Sequence, residues 1–173
     1  MKKNTRAEKN QINIPAKRGA STEIVDEDNP SNGLYNLIAQ QPFFEGLSAS
    51  HLQLLTESAM KMQFEPGRQL FYEGDPSNRF YLILEGKVEV ESECEKGNKV
   101  SVGTLGPGDG LGWSWLFPPH YAQFGMRAIE PTKTIFFYGT RLQQQCEDDH
   151  DFGYELMKRF AKEAIKNLKS MQS

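Results

Sequence analysis

The residues best suited to holding an anion lie in a glycine-rich stretch beyond the middle of the chain. Residues 106–110 (Gly-Pro-Gly-Asp-Gly) are followed closely by Gly112, Trp113 and Ser114. The backbone N–H groups of these three residues, with the Ser114 hydroxyl, can open a short helix that attracts a negative group. No Gly-Lys-Ser/Thr follows the glycines, so the stretch does not predict a nucleotide-hydrolysing P-loop.

The other chemistry-bearing side chains form neither a catalytic nor a metal-binding pattern. His51, His120 and His150 are widely separated and lack carboxylate or thiol companions at ligand spacing, which argues against a zinc site. A triad of Ser114, His120 and Asp109 can be written down, but no nucleophile elbow surrounds the serine. We therefore expect a protein that is not an enzyme and holds no metal.

Composition and cysteine usage indicate a cytoplasmic protein. Cys94 and Cys146 have no CxxC partner and fit reduced thiols that serve in packing. The basic start, residues 1–3, is not followed by the apolar run of a signal peptide, and no stretch approaches the length of a transmembrane helix. A formal net charge of −3 does not suggest the basic face of a nucleic-acid binder or attachment to a membrane.

A tail and two helices are predicted on the N-terminal side of the candidate site. Residues 1–31 hold few apolar side chains, and we expect a mobile tail there. Leu34, Leu37 and Ile38 follow at helical spacing, and Pro42 ends that helix. Ser48 is a good N-cap for a second helix.

From Lys61 onward the pattern alternates and predicts short strands separated by turns. The β-like runs are residues 80–84, 88–91, 100–105 and 134–138, and glycine- or proline-containing turns separate them. Many short strands at this spacing indicate a closed antiparallel roll or sandwich. Four turn glycines are predicted to have positive φ or a close backbone approach, namely Gly67, Gly74, Gly86 and Gly108.

The C-terminal segment predicts a long amphipathic helix. Thr140 is placed as the cap of a short preceding helix, and Asp151 as the cap of a helix over residues 152–171. Its apolar stripe must be buried against something, and we expect a homodimer. The predicted interface residues are Met157, Phe160, Ala164, Leu168 and Met171, with Phe160, Ala164 and Leu168 forming the seam.

Several motifs together resemble the cyclic-nucleotide-binding domain of the cyclic-AMP receptor protein superfamily. They are residues 44–47 (Phe-Glu-Gly-Leu), 65–67 (Glu-Pro-Gly), 70–75 (Leu-Phe-Tyr-Glu-Gly-Asp), 80–88 (Phe-Tyr-Leu-Ile-Leu-Glu-Gly-Lys-Val) and the glycine-rich stretch 106–110. The resemblance covers about residues 34–171. It implies a mainly β fold, an antiparallel double-stranded β-roll of jelly-roll type, with N-terminal helices and a long C-terminal dimerisation helix. The parts are then a tail (1–31), a roll (32–150) and a helix (151–173) that pairs in parallel with a second copy.

The same resemblance implies an altered ligand site. In the family's cyclic-AMP binders the phosphate cassette opens Gly-Glu-Leu/Ile, its Glu accepts from the ribose hydroxyl, and a later Arg pairs with the cyclic phosphate. Here Trp113 stands at the Glu position and Ala122 at the Arg position, while Arg127 matches a mostly structural arginine. Residues 112–119 (Gly-Trp-Ser-Trp-Leu-Phe-Pro-Pro) resemble a bacterial subgroup of the superfamily. The candidate ligand-binding residues are Gly112, Trp113, Ser114, His120, Tyr121, Ala122 and Arg127.

These departures predict a regulatory domain with weak or lost cyclic-AMP binding. A cyclic nucleotide with altered contacts, or another small phosphate-bearing or planar ligand, remains a candidate effector. A haem-sensing variant in the superfamily makes His120 a candidate ligand, the alternative being a histidine at the pocket rim or surface. The family's transcription factors continue into a helix-turn-helix module where this sequence ends, so we expect no sequence-specific DNA binding by this chain.

Five aromatic side chains in and after the cassette leave two functions open. They either fill the old nucleotide pocket or line a pocket for a planar or apolar ligand. An open pocket favours a ligand sensor, and a closed pocket favours a scaffold whose helix and tail bind protein partners. The aromatic residues concerned are Trp113, Trp115, Phe117, Tyr121 and Phe124.

Overall fold

Eight strands and four α-helices build the part of the chain that the computed structural model describes, residues 30–95 and 97–171. The helices are α1 (Pro30–Ala39), α2 (Ala49–Glu57), α3 (Gly139–Asp148) and α4 (His150–Met171). The strands are β1 (Ala59–Phe64), β2 (Gln69–Phe71), β3 (Arg79–Glu85), β4 (Val88–Glu93), β5 (Lys99–Leu105), β6 (Gly110–Leu111), β7 (Gly125–Ala128) and β8 (Thr132–Tyr138). Two short 3-10 helices, Pro42–Phe44 and Trp113–Trp115, precede α2 and follow β6.

The strands form two four-stranded antiparallel sheets with the orders β1-β8-β3-β6 and β2-β7-β4-β5. Leu82 lies opposite Ile135 in the first sheet, and Val90 lies opposite Met126 in the second. The predicted strands correspond to β3, β4, β5 and β8. The mainly β class and the roll with flanking helices are therefore confirmed.

Strand β3 separates the two halves of the core. Phe80 and Leu82 face a cluster shared with the helices, whereas Tyr81 and Ile83 belong to the cluster between the two sheets. Both faces of the strand are thus buried, which explains its unbroken apolar run. We call these clusters the helix-side core and the roll interior.

The turn glycines have the predicted backbone. Gly67, Gly74, Gly86 and Gly108 all have φ between 84° and 96°. A Cβ on Gly86 would lie 2.6 Å from Thr132 Oγ1, so this position excludes any side chain as well as favouring glycine by its φ. The turn glycines thus serve the architecture of the roll.

The helix caps match the sequence at one position and differ at two. Ser48 caps α2, because its Oγ accepts from the His51 N–H at 3.2 Å. Helix α3 begins at Gly139, before Thr140, and has no side-chain cap. Helix α4 is capped by Asp149, whose Oδ1 accepts from the Phe152 N–H at 3.0 Å, and the prediction of Asp151 was wrong. Asp151 instead lies in the first turn of the helix, where its charge suits the dipole.

Helix α4 divides into a buried half and an exposed half. Phe160 is 5% exposed and packs in the helix-side core of its own chain, and Met157 packs against the same core. Both residues are already covered within their own chain, and their place in a dimer interface stays a prediction. Ala164 and Leu168 are exposed, Leu168 by 61%, and the side chain of Met171 lies outside the described residues.

The chain ends and the cysteines complete the comparison. Of the predicted tail, residues 1–29 lie outside the described residues, and α1 begins at Pro30, two positions before the predicted boundary. Cys146 is half-buried, but Cys94 is exposed in the turn between β4 and β5, so a packing role was wrong for Cys94. Within the described ranges, no helix is long and apolar enough to cross a membrane.

Candidate functional site

The cassette, residues 112–122, leaves the first sheet at a glycine that no other residue can replace. Leu111 pairs with Tyr81 at the end of β6, and Gly112 then adopts φ +90°. A Cβ on Gly112 would contact the Arg79 carbonyl oxygen and lie 2.8 Å from Phe71 Cζ. The positive φ and this close approach together explain the glycine. They also fix the position of the 3-10 helix Trp113–Trp115, which follows directly.

Trp113 lies in the helix-side core. Its ring centroid lies 4.9 Å from that of Phe160 and 5.3 Å from that of Phe80, and it approaches Phe43 at 6.4 Å. Trp115 is 2% exposed and belongs to the same core, 5.8 Å from Phe160. Both tryptophans therefore pack on the helix side of β3, apart from the roll interior.

The three remaining aromatic residues, in and just after the cassette, lie at the surface. Phe117 is 62% exposed, Tyr121 48% and Phe124 37%. Tyr121 forms an isolated bridge with Pro76, which holds this part of the loop against the turn before β3. These side chains offer an apolar rim outside the roll interior.

Aromatic residues from the strands fill the roll interior instead. The rings of Phe71 and Tyr81 are 5.5 Å apart, and those of Tyr81 and Phe136 are 5.4 Å apart. Tyr81 is 1% exposed, and burial raises the pKa of its hydroxyl, while the neighbouring Arg79 guanidinium opposes that rise. Phe64 packs against Tyr81 from β1 at 5.7 Å. The sequence analysis did not identify these strand residues as the filling of the roll interior, because the pattern of each strand does not show which face turns inward.

Ala122 is fixed by its backbone and contributes only a methyl group. It is 8% exposed and packs in the roll interior. Its N–H donates to the Asp75 carbonyl at 2.8 Å, and its carbonyl accepts from the Gly74 N–H at 2.8 Å. Ala122 therefore presents no charge to the roll interior.

Arg127 is paired with two carboxylates on β4. Its Nε donates to Glu91 Oε1 at 2.7 Å, and its Nη2 bonds to Glu89. Glu91 is 6% exposed; burial raises its pKa, but hydrogen bonds from Arg127, Lys99 and Gln69 lower it more and keep the carboxylate charged. The guanidinium thus joins β4 to β7.

His120 lies at the end of the cassette loop. Its Nδ1 is 3.0 Å from the Trp115 carbonyl, and because a carbonyl only accepts, Nδ1 carries the proton and donates. The His120 carbonyl accepts from the Ser77 N–H at 2.7 Å. The residue lines a cavity with α3, outside the roll interior.

Arg79 is a cation that the sequence analysis did not single out. Its Cζ lies 5.1 Å from the centre of the Phe71 ring, and its carbonyl is next to Gly112. Within the described ranges no carboxylate forms an ion pair with it. The alternation of β3 gives the missing signal, since Arg79 shares the inward face of Tyr81 and Ile83.

Comparisons with known proteins identify the family. A family model described as "Cyclic nucleotide-binding domain" matches residues 61–149, just over half of the chain. The chain belongs to this family of cyclic-nucleotide-binding domains, which occur in regulatory proteins.

Two curated relatives are regulators. The "CRP-like cAMP-activated global transcriptional regulator" of Mycobacterium tuberculosis is 24% identical over 126 residues, which cover 73% of this chain and 56% of that protein. The "Cyclic AMP receptor protein" of Thermus thermophilus is 26% identical over 97 residues, which cover 56% of this chain and 45% of that protein. The chain thus spans about half the length of these relatives.

Solved structures share the fold. A putative cyclic nucleotide-binding protein from Geobacter metallireducens has a TM-score of 0.70 and 24% identity, and the match covers 82% of this chain and 99% of that one. The regulatory subunit of a cAMP-independent protein kinase A from Trypanosoma brucei has a TM-score of 0.63 and 24% identity, covering 77% of this chain and 47% of that one. At this identity the likeness concerns the fold alone.

Proposed function

We propose that this chain is a non-catalytic effector-binding domain in which ordinary cyclic-AMP affinity has been lost. The observation that carries the proposal is the burial of the Ala122 methyl group in the roll interior, at the position that the resemblance assigns to the phosphate-pairing arginine. A cyclic phosphate entering the roll would leave water without the bidentate, charge-assisted partner that offsets this cost. The indole of Trp113 adds a second loss, because it lies in the helix-side core and accepts nothing from a ribose.

The effector class that fits best is a small phosphate-bearing or planar molecule with contacts different from those of cyclic AMP. Arg79 supplies a charge at the mouth of the roll, beside Gly112 and against the Phe71 ring. The Arg79 guanidinium also hydrogen-bonds the Tyr81 hydroxyl, and its remaining planar N–H donors suit a phosphate or carboxylate. Gly112, Trp113 and Ser114 remain the candidate backbone contacts.

Contacts between the cassette and α4 support a relay to a partner. Trp113 packs edge-on against Phe160, so a movement of the cassette changes the surface on which α4 rests. Further along the same helix, Glu163 accepts from the Gly110 N–H and Lys166 bonds to Asp109 in the preceding turn. The exposed end of α4 would then carry the signal to a second copy or to another protein.

A protein-interaction scaffold is the second candidate. It is favoured by the aromatic filling of the roll interior, where Phe71, Tyr81 and Phe136 are each less than 5% exposed. Two cavities, of about 400 and 230 Å³, are lined by loop and helix residues outside that interior. In this case the exposed cassette aromatics and the end of α4 would be the contact surfaces.

Native mass spectrometry of freshly purified protein separates the two functions. A sensor should retain a small molecule that denaturation releases, and Arg79→Gln should reduce its occupancy. Arg141→Gln is the matched control, since Arg141 is an exposed arginine on α3 that pairs with Glu57 and is not among the predicted ligand-binding residues. A wild-type chain that stays free of ligand in every preparation would contradict the sensor and favour the scaffold.

A further inference from the structure

Three large apolar side chains of α4 are exposed, and all three lie on one side of the helix. Tyr154 is 64% exposed, Ile165 55% and Leu168 61%. At about 100° per residue they fall within an arc of about 60°. Exposed apolar residues scattered singly need no explanation, but a row of them along one helix marks a contact surface.

Two further residues complete a stripe with heptad spacing. Lys158 and Ala161 are also exposed and lie between the first two of these residues, so the spacings along the helix are four, three, four and three. This is the spacing of positions that meet when two helices pair along their length. The stripe faces away from the protein's own core, because Leu156 and Glu163, on the opposite side of the helix, are buried. We call this set the outer stripe: Tyr154, Lys158, Ala161, Ile165 and Leu168.

The outer stripe shares only Leu168 with the seam predicted from the sequence. Phe160 belongs to that seam but packs in the helix-side core, and Ala164 lies at one flank of the outer stripe. A contact along the outer stripe therefore leaves the packing of α4 on its own roll unchanged.

The charge on the outer stripe disfavours a parallel pair. In a parallel homodimer each residue of the stripe faces its own copy across a twofold axis. Lys158 would then meet Lys158 of the second copy on the line of contact, where the two like charges repel. Glu155 bonds to Lys158 at 2.7 Å within one chain, but it lies at the flank of the stripe.

An antiparallel pair separates the two lysines and matches the apolar residues. With Ala161 at the twofold axis, Tyr154 lies against Leu168 of the second copy. Lys158 then lies against Ile165 of the second copy, with its apolar stem over that side chain and its ammonium group toward water.

The flank of the outer stripe is complementary to itself in this orientation. Glu155 lies near the start of α4 and Lys169 near its end, on the same flank. In an antiparallel pair each Glu155 is opposite Lys169 of the other copy, so two attractive contacts form per dimer. Lys162 comes near its own copy at the axis, but it is exposed at the rim, where its ammonium group stays in water.

We propose that the outer stripe is the interface at which α4 packs antiparallel against α4 of a second copy. The orientation is opposite to the parallel pair that the family resemblance implies. The end of each α4 is thereby placed beside the junction between α3 and α4 of the other copy. A second copy of the chain is thus the protein that covers the exposed end of this helix.

Disulfide trapping in the full chain measures the orientation directly. The background is Cys94→Ser, in which the remaining Cys146 is half-buried and gives the blank. Tyr154→Cys and Leu168→Cys, one of them carrying a tag that changes its size, are mixed at equal concentration and oxidised briefly. The mixed disulfide should form about tenfold faster than either variant's disulfide with itself, because only antiparallel helices bring these two Cβ atoms within the ~4 Å that the bond requires.

Ala161→Cys is the control for pairing itself, since this residue faces its own copy in both orientations. It should crosslink readily in the same background. A Leu168→Cys product with itself that exceeds the mixed product would show a parallel pair and overturn the proposal. Failure of Ala161→Cys to crosslink would also overturn it, and would leave the outer stripe to a different protein.

A double-mutant cycle tests the flank independently. Lys169→Glu places a carboxylate opposite Glu155 of the second copy and should weaken self-association about threefold or more in analytical ultracentrifugation. The same change should have little effect in a Glu155→Gln background, and Lys61→Glu, on β1, controls for net charge. Positions 155 and 169 are about 21 Å apart along one helix, so coupling between them arises across an antiparallel interface. Equal effects of Lys169→Glu in both backgrounds would contradict the proposal.

Discussion

At the scale of single residues, Trp113 and Ala122 contribute apolar packing. The indole contacts Phe80 and Phe160, and the methyl group of Ala122 lies in the roll interior. Each side chain thus contributes apolar burial, and we propose that these are the positions at which the family's cyclic-AMP binders have an acceptor and a cation. The cassette backbone stays in place, because Gly112 and the hydrogen bonds of Ala122 do not depend on those side chains.

Restoring the cation should restore part of the affinity. Ala122→Arg returns a guanidinium to a position whose backbone is already fixed, and we expect cyclic-AMP affinity to rise by about ten- to a hundredfold, the value of a charge-assisted hydrogen bond. Gln123→Arg adds the same charge to an exposed neighbour and should have little effect. Isothermal titration of both variants gives the measurement. Equal affinities for the two variants would mean that Ala122 is not the phosphate position.

At the scale of elements, α4 is attached to the roll by its buried half and by a charged contact to the turn before β6. Phe152, Leu156 and Phe160 are buried in the helix-side core. Beyond them, Glu163 is 7% exposed and accepts from the Gly110 N–H, and burial raises the pKa of its carboxyl. The contribution of Glu163 to the stability of the fold therefore depends on pH.

The pH dependence of Glu163 has a defined sign. Because its folded pKa is raised, the native state holds the proton more tightly than the unfolded chain, and this stabilisation is lost as the pH rises through the folded pKa. Glu163→Gln keeps an acceptor without the buried charge. Its Tm should exceed that of wild type by a few degrees, roughly 1–4 °C, at pH 7.5, and the difference should vanish near pH 4.

Glu155→Gln provides the control of opposite sign. Hydrogen bonds from Lys158 and Arg159 lower the pKa of Glu155, so its contribution is present at neutral pH and is lost as the pH falls through the folded pKa. The Glu155→Gln variant should have a lower Tm than wild type at pH 7.5, and the two Tm values should converge in acid. Thermal unfolding followed by circular dichroism across this range decides, and a Glu163→Gln Tm below wild type at pH 7.5 would contradict the assignment.

The exposed half of α4 is the predicted dimer surface. Ala164, Ile165 and Leu168 are exposed in the single chain, Ile165 by 55% and Leu168 by 61%. Ala164 and Leu168 belong to the predicted seam, and we expect a homodimer through them. Leu168→Asp should reduce the mass seen in light scattering to the monomer's 19.7 kDa while the roll stays folded. Phe160→Asp should instead unfold the chain, since deleting a buried phenylalanine costs about 3–5 kcal/mol. A wild-type monomer at tens of micromolar would contradict the dimer.

The sequence predicted the secondary-structure elements and turns better than it predicted which face of each element is buried. Ser48 and the turn glycines were found because caps and positive φ depend on local chemistry. The direction of Trp113 and the burial of Phe160 depend on contacts between segments far apart in the chain, which no local pattern contains. Arg79 was missed for the same reason, as its role depends on its neighbours Phe71 and Gly112.

At the scale of the whole molecule, the chain is a cyclic-nucleotide-binding domain whose ligand site and helices share one core. The helix-side core includes both cassette tryptophans and the first half of α4, while the roll interior is filled by the strands. A change at the cassette therefore reaches α4 through direct packing.

Isothermal titration of the wild-type chain with cyclic AMP and cyclic GMP tests the central claim most directly. Removing one partner of a buried charge pair costs roughly 2–5 kcal/mol, about thirty- to several-thousand-fold in affinity. We therefore expect no measurable heat of binding, or a dissociation constant weaker than about 100 μM, for both nucleotides. A dissociation constant at or below the low micromolar range would contradict the account and show that the cassette still binds the family's ligand.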